Sequence, residues 1–207
     1  MPRQRFENFD DFALHAAELL REHAEPMEDG PFWELVAWLD WPKRPRPDTL
    51  GRRLGRRLDL ERLASASVAA ADHRHGLEEA MEARGGAVHD ALPSEDGMDD
   101  LCYHIVGMGA DAHARAVADD ALALELVEED RAVESFRYVF QEAFARAPYA
   151  AYDEVLRRRF LDADAMTAGA PPRVVVSGDV VGVVYRIEGS TLLYVTPHGY
   201  ETIDRET

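Results

Sequence analysis

The side chains whose types and spacing could do chemistry gather in one stretch, Ser94 to Leu124. Asp96, Asp99, Asp100, His104 and His113 all lie within it. Asp100 and His104 are four residues apart, so on a helix they share a face. With Asp96 nearby, that face could hold a divalent metal for hydrolysis. Alternatively, Asp100 could orient the His104 imidazole as a general acid–base group, with His113 as a further candidate. A plainer account is structural. Asp96 caps a helix, while Asp99 and Asp100 sit in its first turn, where the helix dipole favours negative charge. On that account no metal or other cofactor is called for, and no catalytic residue is assigned.

The other reactive side chains read in the same way. His73 and His75 are two apart, and on a helix they point about 200° away from each other, so they cannot chelate together. His75 could pair with Asp72, or with Glu78 and Glu79, but solvated surface histidines are the simpler expectation. Cys102 lies beside an apolar stripe and reads as a buried, inert thiol. The chain has no P-loop, no His-Glu-x-x-His, no Cys-x-x-Cys and no Gly-x-Ser-x-Gly, so the usual sequence arguments for an enzyme are missing. The balance favours a non-catalytic protein.

The elements that must position these side chains form a helix, a glycine-bearing corner and a second helix. Met98, Leu101, Ile105 and Met108 follow 3-4-3 spacing, and Cys102 and Val106 widen the stripe. Gly107 and Gly109 suit a C-terminal cap or a close turn. A single second helix should follow, with Ala112, Ala116 and Leu122 inward, giving an αα-hairpin within a bundle.

These residues carry a resemblance. Phe32-Trp33-Glu34-Leu35, then Asp96-Gly97-Met98, Leu101, Ile105-Val106, Gly109 and Ala118-Asp119 are similar to the signature of a bacterial domain-of-unknown-function family, number 4240 (DUF 4240). The chain resembles a divergent member over residues 28 to 147. Met98 and Leu101 stand where that family has aromatics, Asp100 where it has Tyr, His104 where it has Trp, and Asp120 where it has Pro. The resemblance implies a fold and no known activity. It also implies that His104 fills a place built for a large ring, so that His104→Phe is expected to be tolerated.

Charge sets the classes of partner. With 23 basic against 40 acidic residues, the formal charge is −17. A field of that sign repels nucleic acid and anionic membranes and complements a basic protein partner. One Cys forbids an intrachain disulfide. No run approaches the roughly 20 apolar residues of a membrane helix. The opening MPRQRFENFDDF turns acidic too soon for a signal peptide, so a cytoplasmic location is expected.

Against this acidity stands one basic stretch. Residues 43 to 62 contain Lys43, Arg44, Arg46, Arg52, Arg53, Arg56, Arg57 and Arg62 against Asp48, Asp59 and Glu61, an excess of five positive charges that leaves −22 for the remainder. The duplicated Gly-Arg-Arg-Leu sets Leu50, Leu54 and Leu58 on one stripe and Arg52, Arg53, Arg56 and Arg57 largely away from it. That quartet could bind a phosphate or another anion; it could equally be neutralised by the chain's own carboxylates or form a solvated face.

Elsewhere the pattern is helical. One helix ends near His23, and another opens around Pro31 and carries Trp33 and Trp38. With Trp41 these rings read as a buried anchor. Asp59 caps a helix from Leu60 to about Ala83, Gly85-Gly86 breaks the chain, and a short helical piece follows. Arg131 to Ala145 is amphipathic, and Pro148 starts a further helix. After the Gly/Pro-rich hinge at 168–172, Val174–Ser177, Val180–Ile187, Leu192–Thr196 and Tyr200–Ile203 are β-rich runs between turns.

The expected fold is therefore mainly α: a bundle of about six to eight helices over residues 1–167, with a small antiparallel β meander at 173–207, an α+β arrangement. The leading functional expectation is an acidic, non-catalytic protein-interaction or regulatory module, its oligomeric state open. The alternatives are an anion or phosphate ligand at Arg52, Arg53, Arg56 and Arg57, or a metal-dependent hydrolase-like site around Asp100 and His104.

Overall fold

Among the described residues, eight α-helices lie between Asp29 and Ala145, with a short 3-10 turn at Trp41–Lys43. They are α1 (Asp29–Leu39), α2 (Pro47–Gly55), α3 (Leu60–Ala83), α4 (Ala87–Ala91), α5 (Glu95–Met108), α6 (Ala110–Ala118), α7 (Ala121–Glu128) and α8 (Arg137–Ala145). The computed structural model describes residues 16–18, 20–43, 46–92, 95–129, 136–148, 151–152 and 154–155, together with the backbone of four strands. The described residues are mainly helical, as expected of a bundle. The chain divides into two compact units: His23–Arg146, and Met1–Glu22 with Ala147–Thr207.

In the His23–Arg146 unit, local chemistry sets most helix ends. The Asp59 carboxylate accepts from Arg62 N at 2.8 Å and starts α3 at the expected residue. Gly85 and Gly86, at φ 106° and 74°, end it in a conformation open chiefly to glycine. α5 begins at Glu95, so Asp96 lies inside the first turn and not at the N-cap. Its side chain lies outside the described residues.

Two expectations about the central corner need correction. Gly107 is no cap. It lies within α5, where a Cβ would come within 2.7 Å of Trp41 Cδ1 and 2.9 Å of Phe136 Cγ, so its hydrogen is what lets those rings approach. Gly109 alone makes the corner, at φ 105°. The second helix is two helices, α6 and α7, separated at Asp119-Asp120. Asp119 Oδ1 accepts from Ala121 N at 2.9 Å, which starts α7. Arg84, just beyond α3, donates from Nη1 to Val117 O at 2.7 Å, from Nη2 to Ala116 O at 2.9 Å and from Nε to Asp120 at 2.8 Å. Its guanidinium thus takes up carbonyls that the end of α6 leaves without an intrahelical partner.

The core of the unit uses the apolar stripes. Leu77, Met81, Leu101, Cys102, Ile105, Leu122 and Leu126 pack in one cluster. Leu50 and Leu54 of α2 are fully buried, and Leu58 nearly so. The glycines of the duplicated tetrapeptide serve packing as well. A Cβ on Gly51 would overlap Glu142 Cβ and come within 2.9 Å of Val139 O, so α2 and α8 touch backbone to backbone there. Of the three tryptophans only Trp41 is fully buried; Trp33 and Trp38 are half-buried. The expected three-ring buried anchor is one ring.

In the other unit, residues 16–18 and 20–22 are helical, as are 151–152 and 154–155, and Leu20 and Tyr152 are buried. The backbone then runs through β1 (Arg173–Ser177), β2 (Val180–Glu188), β3 (Thr191–Thr196) and β4 (Gly199–Asp204), each antiparallel to the next in the order β1-β2-β3-β4. Residues 130–135 and 156–172, where parts of two expected helices and the hinge fall, lie outside the described residues.

Candidate functional site

The arginine quartet is presented by α2 and the turn that follows it. Leu50, Leu54 and Leu58 tie one face of this segment to the core, which turns Arg52, Arg56 and Arg57 to solvent and leaves Arg53 half-buried. Trp38, near the end of α1, organises the other side. The Arg53 guanidinium carbon lies 4.6 Å from the Trp38 ring centroid and that of Arg57 lies 4.4 Å from it. Arg53 Nη2 also donates to Trp38 O at 3.4 Å. A guanidinium over an indole face at an exposed site gains about 0.5–1 kcal/mol from the ring quadrupole. The ring therefore fixes where two otherwise flexible cations sit.

None of the four arginines forms an ion pair with a carboxylate among the described residues. The contrast lies within the same unit: Arg74 meets Glu78 at 2.9 Å, Arg137 meets Asp99 at 2.7 Å, and Arg146 meets Glu142 at 3.1 Å. Arg46, Arg62 and Arg115 also lack such a pair among the described residues, but no ring holds them. The nearby acids are turned elsewhere: Asp59 caps α3, and Asp48 accepts from Thr49 Oγ1 at 3.4 Å. Internal neutralisation, one of the readings of the quartet, finds no support among the described residues; a solvated face and an anion site both agree with the exposure of Arg52, Arg56 and Arg57.

The acid–histidine constellation comes apart. Asp99 belongs to an arginine cluster, 2.6 Å from Arg74 Nε and 2.7 Å from Arg137 Nη1. The Arg74 Nε contact is an ion pair and not an aligned hydrogen bond, since that nitrogen is buried without one. His104 faces Trp41, whose indole Nε1–H donates to His104 Nδ1 at 3.3 Å. The imidazole is half-buried, and burial lowers its pKa from the usual histidine range. His113 lies with His73, not with His104. Among the described residues no group of three His, Cys, Asp or Glu side chains could hold a metal ion. The packing account of His104 agrees with these contacts, but tolerance of Phe does not follow, because Trp41 would lose its acceptor.

His73 is the other departure. It is not a solvated surface residue: its side chain is 18% exposed and its ring centroid lies 5.0 Å from Phe32, 4.5 Å from Trp33 and 5.1 Å from His113. Nε2 donates to Asp29 Oδ1 at 3.2 Å, and His113 Nε2 donates to His73 O at 3.1 Å. Burial and the neighbouring His113 lower the His73 pKa, with Asp29 and Asp72 opposing, so the Asp29 contact is a hydrogen bond from a neutral imidazole. His75 is exposed, as expected, although it also lies 3.3 Å from Glu79 and 3.8 Å from Glu78, the pairing set against that expectation. Cys102 is buried against Met98, and burial pushes its thiol up to about 12.

Two partnerships escape a reading of the sequence alone. His73 and His113 are 40 residues apart, and no spacing rule joins them. Trp38 and Arg53 carry a fainter signal, since an indole just ahead of a basic stretch is a known place for cations to rest. No family model, curated protein or solved structure matches this chain.

Proposed function

We propose that this chain is a non-catalytic helical binding module whose contact surface is the arginine face of α2. The observation that supports this is a set of four arginines, Arg52, Arg53, Arg56 and Arg57, with Arg53 and Arg57 stacked on Trp38 and no carboxylate paired to any of them among the described residues, in a chain of formal charge −17. What sets this face apart from the other unpaired arginines is the indole that holds Arg53 and Arg57, and guanidinium groups held in that way suit an anion. On this reading the chain is a divergent relative of the DUF 4240 domains. It acts in the cytoplasm, with the four C-terminal strands as a small meander appended to the helical part.

A test uses a sulfonate cation-exchange resin at pH 7. The intact protein should be retained at low salt despite its net charge and released as salt rises. The variant with Arg52, Arg53, Arg56 and Arg57 all changed to Gln should flow through. An intact protein that flows through at low salt would remove the proposal.

A second reading, the acidic remainder holding a basic protein, rests on the −22 left outside residues 43–62. It calls for a partner that binds the quadruple Gln variant as well as the intact chain. A metal-dependent site around Asp100 and His104 has less support, since His104 Nδ1 is already engaged by Trp41. For membranes, among the described residues no helix is long and apolar enough to cross a bilayer.

A further inference from the structure

We propose that the arginine face of α2 binds a phosphate monoester as its dianion; this rests on the reading of that face as the contact surface. Arg53 and Arg57 are one helical turn apart in sequence, and both guanidinium carbons lie within 4.6 Å of one Trp38 ring centroid. Two positive charges are thereby tied to one ring, and neither is paired with a carboxylate among the described residues. Arg53 spends one donor on Trp38 O, and no hydrogen bond from Arg57 is present among the described residues. Each guanidinium carries five N–H donors, so most of both forks remain available.

Charge and donor number choose the ligand. A carboxylate would neutralise only one of the two fixed cations. A phosphate monoester carries about −1.5 to −2 at pH 7 and three strong acceptor oxygens, and so answers both. Planar forks match it in a way ammonium groups do not. Arg52 and Arg56 are exposed on the same short segment and add to the local positive potential. Shape of charge excludes a long polyanion. Beyond this face the chain has a formal charge of −22, and over a Debye length of about 8 Å a nucleic-acid backbone would meet that field. A compact terminal phosphate need not. Because the ring has already ordered Arg53 and Arg57, binding loses less side-chain entropy than it would with mobile arginines.

The experiment titrates the full chain at constant ionic strength and follows indole fluorescence, with Trp38→Phe identifying which indole reports. One arm uses inorganic phosphate and another a short phosphoserine peptide beside its unphosphorylated form. A third arm uses acetate, a monocarboxylate. Saturable change with the phosphate probes and none with the carboxylate is expected. The phosphate response should weaken about tenfold in Arg57→Lys, which keeps charge and loses the fork. It should vanish in the doubly substituted Arg53→Gln/Arg57→Gln, whose melting point checks that it folds. Affinity should also decline below about pH 6, as the phosphate becomes a monoanion. The tighter of the two phosphate arms identifies the source. Carboxylate binding equal to phosphate, or full binding by the double variant, would overturn the proposal. No phosphate response from a protein still retained by the sulfonate resin would sink the phosphate assignment alone, whereas loss of both would take the contact surface with it.

Discussion

A pair of glycine substitutions should change stability in opposite directions, although the chemistry is identical. Gly76 lies inside α3, exposed, with nothing within 4 Å of the place where a Cβ would stand. Gly76→Ala should therefore gain the helix-propensity difference, about 0.8–1 kcal/mol. Gly51 lies inside α2 and would gain a similar amount from propensity. Its Cβ, however, would overlap Glu142 Cβ and lie 2.9 Å from Val139 O and 3.0 Å from Ala143 N. Two of those atoms belong to the backbone of α8 and cannot rotate away, so the helices must part. Overpacking of that kind typically costs about 1–3 kcal/mol. Since two backbone atoms block the site, the upper half of the range applies, and the net loss is about 1–2 kcal/mol after the propensity gain. Gly55 supplies an internal control, because its Cβ would sit at an ordinary 3.4 Å from Ala143 O. As the last residue of its helix Gly55 gains less from propensity than an interior position, so Gly55→Ala should be neutral to mildly stabilising. Urea denaturation followed by circular dichroism reads all three, and for a chain of this length 1 kcal/mol corresponds to about 2–4 °C in a thermal melt. A Gly51→Ala protein as stable as Gly76→Ala would refute the close approach of α2 and α8.

Three further outcomes follow from the contacts described. His104→Phe should lower stability by about 1 kcal/mol, because Trp41 Nε1 is buried and loses its acceptor; urea titrations of that variant, of Trp41→Phe and of the double variant should show coupling of similar size. His73 and His104 both have folded pKa values lowered from 6.5, so the unfolded chain takes up their protons first as pH falls. Their contribution is full above about pH 6.5 and is lost toward the lowered values, and His73→Gln should flatten that part of a stability profile between pH 7 and 5. Cys102, with its thiol pushed up to about 12, should resist iodoacetamide at pH 8 in the native protein and react once urea unfolds it; rapid native labelling, read by mass spectrometry, would contradict its burial.

What the sequence made legible was what local chemistry decides. Asp59 as a cap, Gly85-Gly86 as a break and the Leu50-Leu54-Leu58 stripe all rest on neighbours within a few residues, and such rules need no tertiary knowledge. Gly107 was misread because its low helix propensity is a local fact, whereas Trp41 and Phe136, which require its missing Cβ, come from distant segments. The candidate site divided along the same line. The i, i+4 relation of Asp100 and His104 is real, but their neighbours are set by packing. Asp99 went to Arg74 and Arg137, His104 to Trp41 and His113 to His73. The arginine quartet was visible as charge, and the stacking of Arg53 and Arg57 on Trp38 was not.

The separation of α6 from α7 shows the same division between local and distant causes. Residues 110–128 contain neither Gly nor Pro and are rich in Ala and Leu, so in isolation they favour one uninterrupted rod. The Asp119 side chain alone is a modest opposing influence. What fixes the interruption is Arg84, which arrives from the end of α3 and grips the carbonyls of Ala116 and Val117. The break thus depends on a side chain from outside the segment, and the segment carries two conformational preferences, one of its own and one imposed. A peptide of residues 110–128 and the same residues within the whole protein are, in this sense, different shapes written in one sequence.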